Sequence, residues 1–212
     1  MRAAIAKCHW CHNRRVTKQN LRARCAQALF WSRPLCAAEW ALLDHYFGAP
    51  ADPRWRRMRI YLRRLGDTRR ALSFNGGFLS FPRYCFASAD PRQPLRLEQP
   101  LITGWLMHEA FHHWQRLQGR PVTRDAIRLQ WRFWRHGDNP YLYNACASPE
   151  ALLTQFQSAQ VEQQAQMWQD AVMADLAYRQ AVADGLERED LACVALPLGG
   201  VLGWVRGERC FK

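Results

Sequence analysis

The residues of this 212-residue chain with the clearest chemical potential are His108-Glu109-Ala110-Phe111-His112, an H-E-x-x-H pattern. Two histidines four positions apart on a helix lie about 40° apart around its axis, so their imidazoles converge on one ion. Glu109 leaves the same turn in a different direction. It is placed to act as general base on a water at the metal, the arrangement used by zinc-dependent amide hydrolases. The pattern carries this meaning only on a helix. Leu101-Ile102-Thr103-Gly104-Trp105-Leu106-Met107 before it and Trp114 after it supply the apolar body that such a helix would bury.

Two histidines need a third protein ligand. Gln115 and Gln118 stand where the extended metzincin pattern requires Gly and His, which excludes that class. A glutamate from a second helix is the remaining common solution. Glu150 follows Ser148-Pro149, which reads as a helix N-cap and first helical residue, and Glu187 and Glu189 fall in a polar run after Gly185. Glu162 differs. It lies inside a long helical pattern, roughly Ser158 to Asp184, and borders the stripe Val161, Ala165, Trp168, Val172 and Leu176. Ala165 is small enough to let a second helix approach. Glu162 is therefore the predicted third ligand beside His108 and His112, with Zn2+ as the predicted metal.

Two further groups are candidates for stabilising an oxyanion. Tyr141 and Tyr143 would lie on one side of an extended segment, and a tyrosine hydroxyl near the metal can donate to the developing charge. Tyr143 is taken with Glu109 as the catalytic pair. His113, about 100° around the helix from His112, is the other candidate.

The string from His108 to Gln115, followed by Tyr141-Leu142-Tyr143 and Val161-Glu162-Gln163-Gln164-Ala165, resembles bacterial zincins related to Vgr proteins and associated with type VI secretion. The stretch from Arg70 to Pro82 is similar to the strand pair that precedes the active-site helix in that family. The resemblance covers roughly residues 56 to 176. It implies a gluzincin-like metallopeptidase site and delivery as an effector by a type VI apparatus, with a secretion component or an immunity protein as partner. It leaves the substrate open between a protein and a peptidoglycan peptide. One position departs from the family: the residue four after the ligand Glu, an Asp that supports a histidine, is here Gln166. Its amide oxygen accepts a hydrogen bond without charge. This departure keeps a second reading open, a catalytically weak zinc-containing accessory domain of a secretion system.

The elements that must position these residues are predicted as follows. Residues 16 to 31 and 35 to 47 read as helices, forming an N-terminal extension over 1–50, and Ala49-Pro50-Ala51-Asp52-Pro53 reads as a linker to a second domain over 51–212. Met58 to Arg63 alternates as a strand. Leu72-Ser73-Phe74 and Phe78 to Phe81 flank Asn75-Gly76-Gly77, a hairpin signal. In zincins an edge strand beside the metal helix pairs with extended substrate. Thr123 is expected to cap a helix through Trp134, with Trp131 and Trp134 packing inward. The apolar, glycine-rich tail from Leu196 to Gly203 is expected to cover the ligand helix. The fold class is thus α+β, a zincin-like domain that is mostly helical with a small antiparallel sheet.

Composition sets the bounds. Apolar residues make up 49% and charged residues 23%, which is globular, and no run of apolar residues is long enough for a membrane span. The start of the chain is too quickly polar for a signal peptide, so synthesis in the cytoplasm is expected, with any export by a route that reads no such signal. The net charge of +12 favours polyanions, yet the arginines are dispersed and no defined nucleic-acid-binding motif occurs. Eight cysteines are too few for a disulfide scaffold. Cys8-His9-Trp10-Cys11-His12 matches the c-type haem attachment pattern, which the absent export signal opposes. A structural zinc site on Cys8, Cys11, Cys25 and Cys36 has loose spacing. Free thiols, or disulfides formed only after delivery to an oxidising space, are the default expectation.

Overall fold

The computed structural model describes residues 31–63, 70–145, 147–186 and 189–207. The predicted helix at 16 to 31 and the Cys8-x-x-Cys11-His12 motif lie outside these. The described residues from Arg33 onward make one compact unit. Its elements run β1 (Ser32–Pro34), α1 (Ala37–Phe47), β2 (Arg59–Arg63), β3 (Leu72–Phe74), β4 (Phe78–Pro82), α2 (Pro100–Leu117), α3 (Val122–His136), α4 (Pro149–Ser158), α5 (Val161–Ala183) and α6 (Glu189–Arg206).

The fold class is α+β, and the predicted hairpin is present: β3 pairs antiparallel with β4, with Gly76 and Gly77 at φ of 83° and 81° in the turn. Those angles need residues without a Cβ. Gly77 is doubly constrained, because a Cβ there would stand 3.1 Å from the His113 ring and 3.2 Å from the Met58 backbone. The expected antiparallel sheet is corrected to a mixed one of order β1-β2-β4-β3. After β2 the chain skips one strand position, and β4 then returns into the gap parallel to β2. Ile60, Leu79 and Phe81 are buried, while Tyr61 and Phe78 meet edge-on at 4.9 Å. The outcome leaves β3 as an edge strand, as the strand-addition reading requires.

Ser32–Pro34, between the two stretches read from sequence as helices, is β1. Glu39 of α1 is fully buried beside it. It receives Arg33 in a two-pronged ion pair and the backbone N–H groups of Cys36 and Leu95 at 2.8 and 2.9 Å. Burial alone would raise its pKa, but the Arg33 guanidinium and these donors hold it below the usual carboxylate range. The described thiols Cys36 and Cys85 are free.

Helix α2 runs through the centre, with Pro100 at its first turn and an unbroken buried stretch from Leu106 to His113. It crosses α5 closely. A Cβ on Gly104 would stand 3.2 Å from the Gln169 amide, and Ala165 is fully buried. Phe111 stacks on Trp168 at 5.6 Å, and Phe47 and Phe156 complete this aromatic centre. The sequence pattern from Ser158 onward is divided at Ala159 and Gln160, both extended, so that α4 and α5 are separate helices. Ser148 and Pro149 start α4 as expected, with Ala151 N–H donating to the serine hydroxyl. The C-terminal tail is helical and packs against α4 and α5, covering the ligand helix. Among the described residues no helix is long and apolar enough to cross a membrane.

Two expectations for α3 fail. Thr123 lies within its first turn and donates to the Asn75 side chain at 2.9 Å, pinning the helix to the hairpin turn. Trp131 and Trp134 point outward, 52% and 80% exposed, because Val122 and Leu129 on the other side form its buried contact with Val161.

Candidate metal centre

His108, His112 and Glu162 come together in the floor of one cleft. The helix period puts both imidazoles on the side of α2 that faces α5, and the first turn of α5 delivers Glu162 between them. Glu162 Oε2 stands 3.4 Å from His108 Nε2 and 3.3 Å from His112 Nε2, and all three ligand atoms lie within 4.8 Å of one another. These distances exceed ordinary hydrogen bonds of about 2.7–3.2 Å. The two Glu162 distances match the edge of a tetrahedron with bonds of about 2.0–2.1 Å, which is about 3.3–3.4 Å. The three residues form a group that can hold a metal ion.

Hydrogen bonds behind His112 fix its tautomer. Its Nδ1 lies 2.9 Å from Gln115 Oε1. The Gln115 amide cannot be turned round, because its nitrogen donates to Val161 O at 3.1 Å and to Gln164 Oε1 at 2.9 Å. Gln164 is held in turn by donating to Phe156 O at 2.7 Å. Gln115 therefore accepts, His112 Nδ1 carries the proton, and the Nε2 lone pair is directed at the metal position when the ring is neutral. All of these glutamine groups are buried. His108 is treated differently: its Nδ1 is buried without a hydrogen-bond partner among the described residues.

Electrostatics bind the group together before any metal enters. Burial would lower the His112 pKa, but the adjoining Glu162 carboxylate raises it above its ordinary value. Burial would raise Glu162, but His108 and His112 hold it well below the usual carboxylate range. The metal-free site thus favours the charged forms of His112 and Glu162 over their isolated behaviour.

The cleft is about 490 Å³ and is walled by α2, α3, α5, the edge strand β3 and the segment at Tyr141. Glu109 lines it and is buried. Arg116, one turn beyond His112, also lines it and donates to the Ser73 hydroxyl at 3.0 Å and carbonyl at 3.2 Å. The metal helix is thereby tied to the edge strand, and one edge carbonyl is already occupied.

The two tyrosines separate. Tyr141 lines the cleft, with its ring 6.1 Å from that of His108. Its pKa is pushed up to about 12 by burial and the Glu162 charge, so its hydroxyl remains protonated. Tyr143 donates to Asp170 at 2.8 Å and packs against the core. Gln166 lines the cleft but donates to the same Asp170, also at 2.8 Å. His113 faces away. It stacks on Trp55 at 5.9 Å, its Nε2 lies 3.2 Å from Arg54 O, and burial lowers its pKa. Glu150 is exposed at the start of α4.

Gln115, Gln164 and Arg116 are site residues that sequence reasoning missed. Gln115 is a polar residue on the buried side of a metal-binding helix, three after a ligand, and that was the available signal. Comparison with protein-family models, curated proteins and solved structures returned no match.

Proposed function

We propose that this protein is a zinc-dependent hydrolase that cleaves an amide bond, of peptidase or peptidoglycan-amidase type. The observation that carries the reading is the metal-sized triangle of His108, His112 and Glu162 in a cleft that also holds Glu109. A buried set of two imidazoles and one carboxylate suits Zn2+. When bound, zinc supplies Lewis-acid polarisation of the scissile carbonyl and lowers the pKa of water towards about 7.

The chain's own residues supply the remaining chemistry. Glu109 accepts a proton from the attacking water as the new C–O bond forms, then returns it to the nitrogen as the C–N bond breaks. The protonated Tyr141 hydroxyl donates to the oxyanion, a role for which its place in the cleft suits it better than the Asp170-bound Tyr143. Arg116 holds β3 beside the helix, and the part of the β3 edge that Arg116 leaves open orients an extended peptide. The sequence resemblance to type VI-associated zincins supports an effector delivered to a target cell, acting on a protein or a peptidoglycan peptide there.

A second reading, a zinc-containing accessory domain, is favoured by two features: no group supports His108 Nδ1 among the described residues, and Gln166 is turned to Asp170. Glu109→Gln separates the two. For the hydrolase, the variant keeps its zinc and loses about 10²–10⁴ in the rate of cleavage of an unstructured protein or a peptidoglycan peptide. Parent and variant that are equally inert towards both substrates would instead support the accessory domain.

A further inference from the structure

Helix α3 carries two apolar surfaces of opposite orientation. At about 100° per residue, Val122 and Leu129 point into the molecule and are buried with Val161. Ile127, Trp131 and Trp134 fall within about 60° of one another on the other side. They are 67%, 52% and 80% exposed. Burial among the described residues therefore does not account for the outer ridge.

Its flank says what it fits. Arg124, Arg128, Arg132 and Arg135 are all exposed and occupy a continuous band along one side of the ridge. The Arg135 guanidinium lies 5.5 Å over the Trp131 ring. Arg124 and Arg132 have acidic neighbours in Asp125 and Asp138. An apolar ridge with tryptophans beside a row of arginines is the profile of a helix lying in the plane of a bilayer, apolar side in the acyl boundary and cations at the headgroups. A second copy of this chain is a poorer occupant, because it would bring a net charge of +12 against an arginine band. The helix has 15 residues and one charged flank, so it lies on a membrane and does not span one.

We propose that the outer face of α3 docks this protein on anionic lipid bilayers. Ala126, Ile127 and Gln130 also line the metal-centre cleft, so docking brings the cleft mouth to the headgroup layer. Binding requires neither metal nor hydrolysis, and it stands or falls separately from the proposed activity.

The test is sedimentation of the full chain with vesicles of phosphatidylcholine alone or with 30% phosphatidylglycerol, at low and high salt. The expected result is binding to the anionic vesicles only, weakened by salt. Trp131→Ala with Trp134→Ala should weaken it at least about tenfold. Arg128→Gln with Arg135→Gln should weaken it about twenty-five-fold, near fivefold per charge. Trp134→Gln guards against misfolding, since this side chain is largely exposed, and Arg92→Gln with Arg96→Gln, in the segment before α2 and outside α3, should cost much less than the α3 pair. No binding to anionic vesicles, or equal loss from both arginine pairs, would overturn the proposal. So would a dimer in sedimentation velocity that the tryptophan variants abolish while vesicle binding is unaffected, which would assign the ridge to a second copy.

Discussion

His112 and Gln115, one turn apart on α2, are joined by a 2.9 Å contact between imidazole Nδ1 and amide oxygen, and the amide is locked by two further hydrogen bonds. This neutral acceptor does for one histidine what a carboxylate often does in metal sites: it selects the tautomer and fixes the ring. The locked chain continues through Gln164 to the carbonyl of Phe156 on α4, so ligand orientation is built into helix packing.

Gln115→Ala should therefore weaken zinc binding about 10–100-fold while leaving all three ligands in place. Competition with a chromophoric chelator measures it. An affinity equal to that of the parent would mean that the helix alone orients His112.

Tyr141→Phe and Tyr143→Phe should have different consequences. Loss of the Tyr141 hydroxyl removes a donor at the cleft and should lower kcat by about 10²–10³ with little change in KM. Loss of the Tyr143 hydroxyl breaks its bond to Asp170 and should cost about 1.5–3 kcal/mol of stability, with the rate nearly unchanged. Steady-state kinetics and urea unfolding of both variants check this. The reverse pattern would move the oxyanion donor to Tyr143.

Much of this site was legible because helix period is local. The spacing of His108 and His112, and the place of Glu162 beside an apolar stripe with Ala165, follow from about 100° per residue, and the Asn75-Gly76-Gly77 turn follows from its backbone angles. What was not legible depends on partners distant in sequence. The parallel pairing of β2 with β4 has no signature in either strand, since a period of two fixes faces and not neighbours. Trp131 and Trp134 read as core by type, yet Val122 and Leu129 already supply the inward face of α3. Tyr141 and Tyr143 lie in an irregular segment, where alternation does not determine which hydroxyl meets the cleft.

The pH behaviour follows from the opposed shifts of His112 and Glu162. Glu162 is lowered from 4.5, so its contribution is present above about pH 4.5 and is lost as the pH falls towards its folded-state value. His112 is raised from 6.5, so its contribution is complete below about pH 6.5 and is lost as the pH rises through its folded-state value. In the metal-free protein the pair should stabilise most between about pH 4.5 and 6.5. Zinc must displace the His112 proton, so affinity should rise about tenfold per pH unit below the raised pKa. Thermal melts of the metal-free protein and calorimetry in buffers of different ionisation enthalpy measure both. Affinity independent of pH from about 5.5 to 6.5, with no proton released, would contradict the pairing.

The central claim is that His108, His112 and Glu162 hold one metal ion, and metal content per chain tests it most directly. Elemental analysis of the purified full chain should give close to one zinc, with near zero for His112→Ala and Glu162→Ala and an unchanged value for Glu109→Gln. A Glu162→Ala protein that remains folded and retains a full equivalent of zinc would contradict the account, because the ion would then be held elsewhere.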